Sequence, residues 1–277
     1  MNFSFRSYSK RFISTVLGIL VISALPSILF GVNFHLQEKV WIYTTYSYKG
    51  QAVNRDVFPE IFNKFFYSMT IFFLALFIGL LIALILTFIT TMLPRFIQRI
   101  IYGVLTTLES FPDLFIVVVL QVCIVYIYKQ TGILIHFYNG FNDPIYLLPV
   151  LVLSIVPTIQ LFKLTLLLMS EEQHKIYVTV ARSMGLSTLY ILLKHVFRNI
   201  LTSLVQYAKP IIVFMLSNLF IVEYVYNLNG ILTLLLYTKG VVFLVTALFI
   251  ALPFSVLFEI ADSYNASVKK HMGENAA

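Results

Sequence analysis

The stretch Phe65–Leu93, FFYSMTIFFLALFIGLLIALILTFITTML, carries no charged residue. About 20 apolar residues suffice for a helix to cross a hydrocarbon core ~30 Å thick, so this run reads as a transmembrane span. The rest of the chain agrees. Of its 277 residues, 60% are hydrophobic and 11% charged, where a soluble domain carries roughly 25% charged residues. There is too little charge to cover a water-facing surface of this size, and the class implied is an all-α membrane protein.

Five further spans are expected on either side of that run. Phe12 to Phe34 is uncharged, and it is too long, with too many spans after it, for a signal peptide. The others cover about Ile100–Tyr128 (one span, interrupted by Glu109, Pro112 and Asp113), Ile145–Met169, Leu201–Val225 and Val241–Ile260. With six helices and an interior N-terminus, the inner segments hold eleven Lys or Arg and the outer segments six, while Lys163 and Lys209 inside spans complete the 19. That bias places both termini in the cytoplasm. The outer segment from about His35 to Asn63 carries Trp41, Tyr43, Tyr46 and Tyr48. It reads as an aromatic interface belt or as a docking surface for an extracytoplasmic partner.

The formal net charge of +7 comes without a long basic run, so it reads as a topology signal, with no nucleic-acid partner expected. The single Cys123 excludes an internal disulfide and reads as a small packed residue, and the five histidines lack metal-ligand spacing. No metal site and no catalytic constellation such as His-Glu-x-x-His or Gly-x-Ser-x-Gly is found.

The longest inner loop, Ser170–Ile200, reads helix, glycine break, helix. Ser170 with Glu171, Glu172 and Gln173 has the form of a helix N-terminus. Ile176, Val180 and Met184 share one face at i, i+4, i+8 spacing. Gly185 suits a helix-terminating position with positive φ, and Ser187 can cap a second helix carrying Lys194 and Arg198 into the next span. By pattern alone such an amphipathic helix could lie on lipid headgroups, fill space, or dock a cytoplasmic partner.

The residues themselves go further. Tyr177-Val-Thr-Val-Ala181-Arg182-Ser-Met-Gly185-Leu186-Ser187, followed by Leu192-Leu-Lys-His195-Val-Phe-Arg198-Asn199, closely resembles the coupling loop of permeases of ATP-binding-cassette (ABC) importers, in particular the oligopeptide/dipeptide/nickel branch. Glu223-Tyr-Val-Tyr-Asn-Leu-Asn-Gly230-Ile231 is similar to that branch's segment after the fifth helix, with Asn229 where the branch has proline, and Ser110-Phe-Pro112 to its Ser-x-Pro element. The likeness covers about 65–264, so the chain divides into a first helix and outer segment (1–64), a permease core (65–264, coupling loop 170–200) and a tail (265–277).

The resemblance implies a multi-pass subunit of a bacterial cell membrane that itself catalyses nothing. Its partners would be a second, homologous permease, two cytoplasmic ATPases and an extracytoplasmic substrate-binding protein. No cofactor is expected on this chain. It has no G-x-x-x-x-G-K-[ST] loop to cradle phosphates, so ATP and Mg would sit on the ATPase subunits. The same resemblance implies coupling roles for Tyr177, Ala181, Arg182, Gly185, Leu186, His195, Arg198 and Asn199. The cargo would be a peptide, with nickel or a metal chelate as the alternative.

Charges inside spans cost at least about 2.5–3.5 kcal/mol at the bilayer centre unless they face protein or water. Glu109 and Asp113, four residues apart, read as one helical face, with Lys163 and Lys209 in neighbouring spans as possible partners. They form interhelical ion pairs or line a translocation path together with Pro112. Glu223, near the outer end of its span, has by family likeness a gating or receptor-facing role. Competing classes are an ion-gradient-driven transporter using Glu109 and Asp113 as a proton site, an intramembrane enzyme, and a non-transporting scaffold.

Overall fold

The computed structural model describes residues 13–14, 16–21, 42–46, 52–56, 58–132, 144–238 and 240–274. Most of the described chain is helical, and five of its helices are long and apolar enough to cross a membrane. These are α1 (Glu60–Met92), α3 (Asp113–Thr131), α4 (Leu147–Gln173), α6 (Thr188–Val225) and α8 (Gly240–Glu274). Shorter helices are α2 (Arg95–Glu109), α5 (Ile176–Ser183) and α7 (Ile231–Tyr237). The expected first span, 12–34, lies largely outside the described residues, as do Trp41 and Tyr48. A short antiparallel hairpin, β1 (Ile42–Tyr46) and β2 (Ala52–Asp56), paired from Ile42↔Asp56 to Tyr46↔Ala52, occupies part of the expected aromatic segment.

One expected span is corrected. The run read as a helix from Ile100 to Tyr128 is two helices, because α2 ends at Glu109 and α3 begins at Asp113. Pro112 is the cause: it has no N–H to donate, and its ring pushes the preceding Phe111 out of the helical region. It sits with extended backbone (φ −58°, ψ 139°) at the N-cap of α3. Glu109 and Asp113 therefore belong to different helices and do not share one helical face. Cys123 is also corrected: it is exposed on α3, not packed inside the chain.

The described chain forms two compact units. One contains the hairpin, the start of α1 as far as Ile71, α7, and α8 to Ser267. In it the Phe249 ring meets Phe62 and Phe65 edge-on at 5.3 and 6.1 Å, and α7 lies beside β1. The other contains the rest of α1, then α2 to α5, and α6 as far as Val222. There α4 is the most enclosed span. A Cβ on Gly79 of α1 would stand 3.2 Å from Thr158 Oγ1 and 3.4 Å from the Ser154 carbonyl of α4. Glycine at that position lets the two backbones approach closely, the usual device of helix packing in lipid. Hydroxyls along the spans turn back onto their own helices, as Thr87 does to Ala83 O, Thr158 to Ser154 O and Thr165 to Leu161 O. No side-chain polar group is thereby left bare to hydrocarbon at those turns.

Candidate functional site

The loop between α4 and α6 is built on an apolar platform. Val178 and Ala181, on the inner side of α5, are buried against Leu168 and Met169 at the end of α4 and against Ile191, Leu192, Val196 and Ile200 at the start of α6. Burying Val178 alone stabilises this seat by roughly 1.5 kcal/mol or more. The opposite side of α5 is bare: Ile176 is 83%, Val180 52% and Met184 74% exposed. The i, i+4, i+8 spacing thus sorts the helix into one face held by the protein and one face left uncovered.

The break after α5 follows the expected chemistry. Gly185 has φ +77°, its N–H bonds the Arg182 carbonyl at 3.0 Å, and the Leu186 N–H bonds the Ala181 carbonyl at 3.3 Å. These two bonds make a Schellman motif, which calls for a residue in the left-handed region. Ser187 then caps α6, its Oγ accepting from the Tyr190 N–H at 3.4 Å. The first turns of α6 include a π-helical stretch, Ile191–Val196. Lys194 reaches back to Tyr190, its Nζ 2.5 Å from the phenolic oxygen, and His195 meets the same ring edge-on. Arg182, Arg198 and the Lys194 stem remain exposed.

The start of the loop differs from expectation. Ser170, Glu171, Glu172 and Gln173 form the last turn of α4, not the first turn of a loop helix, and α5 begins only at Ile176 behind Lys175. The apolar contacts of α4 continue through Leu168 and Met169, so the span does not stop at the serine. Glu172 consequently sits at the negative end of a helix dipole, an unfavourable place for a carboxylate without partners. It has three: Lys175 Nζ at 2.7 Å, the Tyr177 hydroxyl at 2.9 Å and Asn199 Nδ2 at 3.1 Å. One buried carboxylate thus ties the end of α4 to α5 and to α6. Burial, and next the hydrogen bond to Glu172, push Tyr177 up to about 12. A raised phenol pKa means the folded state holds this proton more tightly. Its contribution is complete below pH ~10 and is lost as pH rises through ~12. Glu172→Ala is expected to loosen α5 by about 2 kcal/mol, which hydrogen exchange of the α5 amides would read as roughly 30-fold faster opening. Unchanged exchange would show that the platform alone fixes the loop.

Residues 75–272 match the family model described as binding-protein-dependent transport system inner membrane component. The chain belongs to that family. It is a membrane permease subunit of an ABC importer, and the ATPase and substrate-binding protein are the other subunit types this family implies. Among curated proteins no significant match was found.

In this permease the charges singled out inside the spans include an ion pair in one place and a carboxylate in a second. Lys163 Nζ of α4 lies 2.6 Å from Glu109 Oε2 at the end of α2, and 5.4 Å above the Tyr102 ring. The pair opens onto a cleft of about 450 Å³ lined by Glu109, Gln160, Lys163, Pro210, Ile211 and Phe214. Lys209, half-buried, precedes the lining proline on α6. Pro112 stands exposed at the break, and the Asp113 side chain lies outside the described residues.

Glu223 forms the second place. Its side chain is fully enclosed. The carboxylate accepts from Ser68 Oγ at 2.5 Å and from the Thr233 N–H at 2.9 Å. Ser68 Oγ in turn accepts from the Ile231 N–H at 2.8 Å. These donors include amides of the first turn of α7, which have no intrahelical partner, so a glutamate seven residues before Gly230 caps the short helix. Beside it Lys64, itself buried, donates to Asn229 Oδ1 at 2.8 Å. Sequence reasoning missed Ser68, Lys64 and Thr233. The usable signals were a lone glutamate followed by a glycine and a short apolar run, and a hydroxyl in the apolar α1 that must find a partner.

Proposed function

We propose that the permease imports short peptides and is driven through the α4–α6 loop by an ATPase subunit docking on the uncovered face of α5. The observation that carries this reading is the two-sided α5. Three large apolar side chains at helical spacing stay exposed on a helix whose other face is pinned by Val178, Ala181 and the Glu172 bonds. An exposed apolar cluster on a rigidly mounted element is the form of a protein–protein contact. Movement applied at Met184 passes into α4 through Glu172 and into α6 through Asn199 and the Ile191–Val196 turns.

The permease acts as half of a translocation path. Six spans with both termini in the cytoplasm put this loop on the ATPase side. The coupling residues are Tyr177, Ala181, Arg182, Gly185, Leu186, His195, Arg198 and Asn199. Tyr177, Ala181 and Asn199 hold the loop to the spans, Gly185 and Leu186 shape its turn, and exposed Arg182 and Arg198 can pair with acidic groups on the ATPase. Peptide cargo follows from the likeness of the 177–199 and 223–231 segments to the oligopeptide/dipeptide/nickel branch. Nickel or a chelate is the second reading on the same likeness.

The test is uptake of labelled trialanine by cells with and without the gene, under ATP depletion and, separately, with an uncoupler. Chain-dependent uptake lost on ATP depletion supports the proposal. Uptake abolished by the uncoupler at normal ATP contradicts it in favour of an ion-gradient carrier. Gly185→Val is expected to keep the protein in the membrane and reduce this uptake by at least tenfold. No atom lies within 4 Å of a Cβ at this position, so the cost is the left-handed backbone alone, about 1–2 kcal/mol, concentrated at the turn that aims α5. Gly185→Asn, which tolerates that conformation better, is expected to retain most of the activity.

A further inference from the structure

The Glu109–Lys163 pair sits deep in its span, where charges normally close on one another or on protein. Lys163 is about 24 Å from the Leu147 end of α4 and about 15 Å from the Gln173 end at 1.5 Å per residue, well inside the span. Yet both partners keep part of their surface uncovered, at 23% and 28%. Charges at this depth do not face hydrocarbon; they turn to water or to protein. The face bearing them is therefore not a lipid face.

What surrounds the pair has the composition of a small-molecule site. The cleft of about 450 Å³ has one anion, one cation and one amide along one side, and Pro210, Ile211 and Phe214 opposite. It is an open groove, not an enclosed pocket, and like ligand sites it joins an apolar wall to a few placed polar groups. The exposed Tyr102 ring already lies under a cation at 5.4 Å, so it offers a second seat for an ammonium group. Both charged side chains are long, and the pair can open by rotamer change without moving the helices that carry it.

We infer that this cleft is a transient binding site for a short peptide with free termini, Glu109 and Tyr102 receiving the ammonium end and Lys163 the carboxylate end. Each ligand charge replaces the partner that the side chain loses, so no ion is left unpaired at mid-span during passage. Gln160 offers an amide to the peptide backbone, and the Pro210–Phe214 wall takes apolar side chains without discriminating among them. The inference rests on the peptide reading of the cargo and adds that the membrane subunit itself recognises both ends.

The test is equilibrium binding of labelled trialanine to the assembled transporter in nanodiscs without its binding protein, so that only the membrane part can select. Binding is expected to be displaced by unlabelled trialanine and not by N-acetyl-trialanine amide. Glu109→Gln and Lys163→Met are each expected to weaken it by about tenfold or more. The double exchange Glu109→Lys with Lys163→Glu keeps an ion pair for folding and is expected to bind as poorly as the single variants. Binding by the exchanged protein equal to that of the unaltered one, or equal competition by the capped peptide, overturns the inference and leaves a structural pair. Chain-dependent uptake alongside either of those results leaves the peptide reading standing. Absence of chain-dependent trialanine uptake overturns the peptide reading and this inference together.

Discussion

Replacing Gly230 by alanine is expected to destabilise the permease by about 3 kcal/mol, far more than one methyl group usually costs. The backbone at Gly230 is extended (φ −88°), so no left-handed strain is involved. The obstacle is occupancy: a Cβ would lie 2.1 Å from Glu223 Cδ and 2.3 Å from both carboxylate oxygens. A glutamate in solvent would swing away at little cost. This one is fully enclosed and holds Ser68 Oγ and the Thr233 amide, so moving it strands buried donors at about 1–3 kcal/mol each. Overpacking alone adds a cost of the same order.

The effect is measurable as the unfolding free energy of the purified chain in detergent. Glu223→Asp, one methylene shorter, is expected to be harmful alone but less harmful in the Gly230→Ala background than additivity requires. A Gly230→Ala protein within about 0.5 kcal/mol of the parent would show that the carboxylate does not occupy that space.

The second large effect is expected at the uncovered face of α5. Val180→Asp combined with Met184→Asp should reduce ATP-dependent uptake by at least 100-fold while leaving the amount of membrane-inserted protein unchanged. Both side chains are more than half exposed, so the folded chain loses little by the change. A docking interface loses about 2 kcal/mol or more for each buried apolar contact that becomes a charge. Ser183→Asp, on the same helix and also exposed, adds charge without removing an apolar contact and is expected to cost far less. Equal losses from Ser183→Asp and from the double variant would point to a general charge effect on the loop.

The membrane class, the spans beginning near Phe65, Ile145 and Leu201, and the loop break at Gly185 were legible because each rests on local chemistry. Uncharged length marks a span, and a glycine flanked by helix-forming residues marks a left-handed terminus. The split at Ser110–Pro112 was visible as a proline but not as a break, since prolines also sit inside α4, α6 and α8 as Pro157, Pro210 and Pro253. Tertiary contacts decide which prolines interrupt a helix and which only bend it.

Glu172 was misassigned because an acidic cluster after a serine has the same local pattern as a helix start. Its role depends on Tyr177 and Asn199, the latter 27 positions away. Ser68 and Glu223 stand 155 positions apart, and no periodicity links them. The pairing of Glu109 with Lys163 was among the arrangements that charge alone suggested. Its opening onto a cleft depends on α6, which no local pattern reveals.

The most direct test of the coupling account is a cysteine cross-link from the exposed face of α5. With Cys123, the only cysteine, replaced by serine, Met184→Cys is treated with a short bifunctional thiol reagent in native membranes, with and without ATP. A nucleotide-sensitive adduct to an ATPase subunit is expected, with none from an exposed position on α3 such as Val122→Cys. An ATPase adduct from position 122 but not from 184, or efficient labelling of 184 with no ATPase attached, would contradict it.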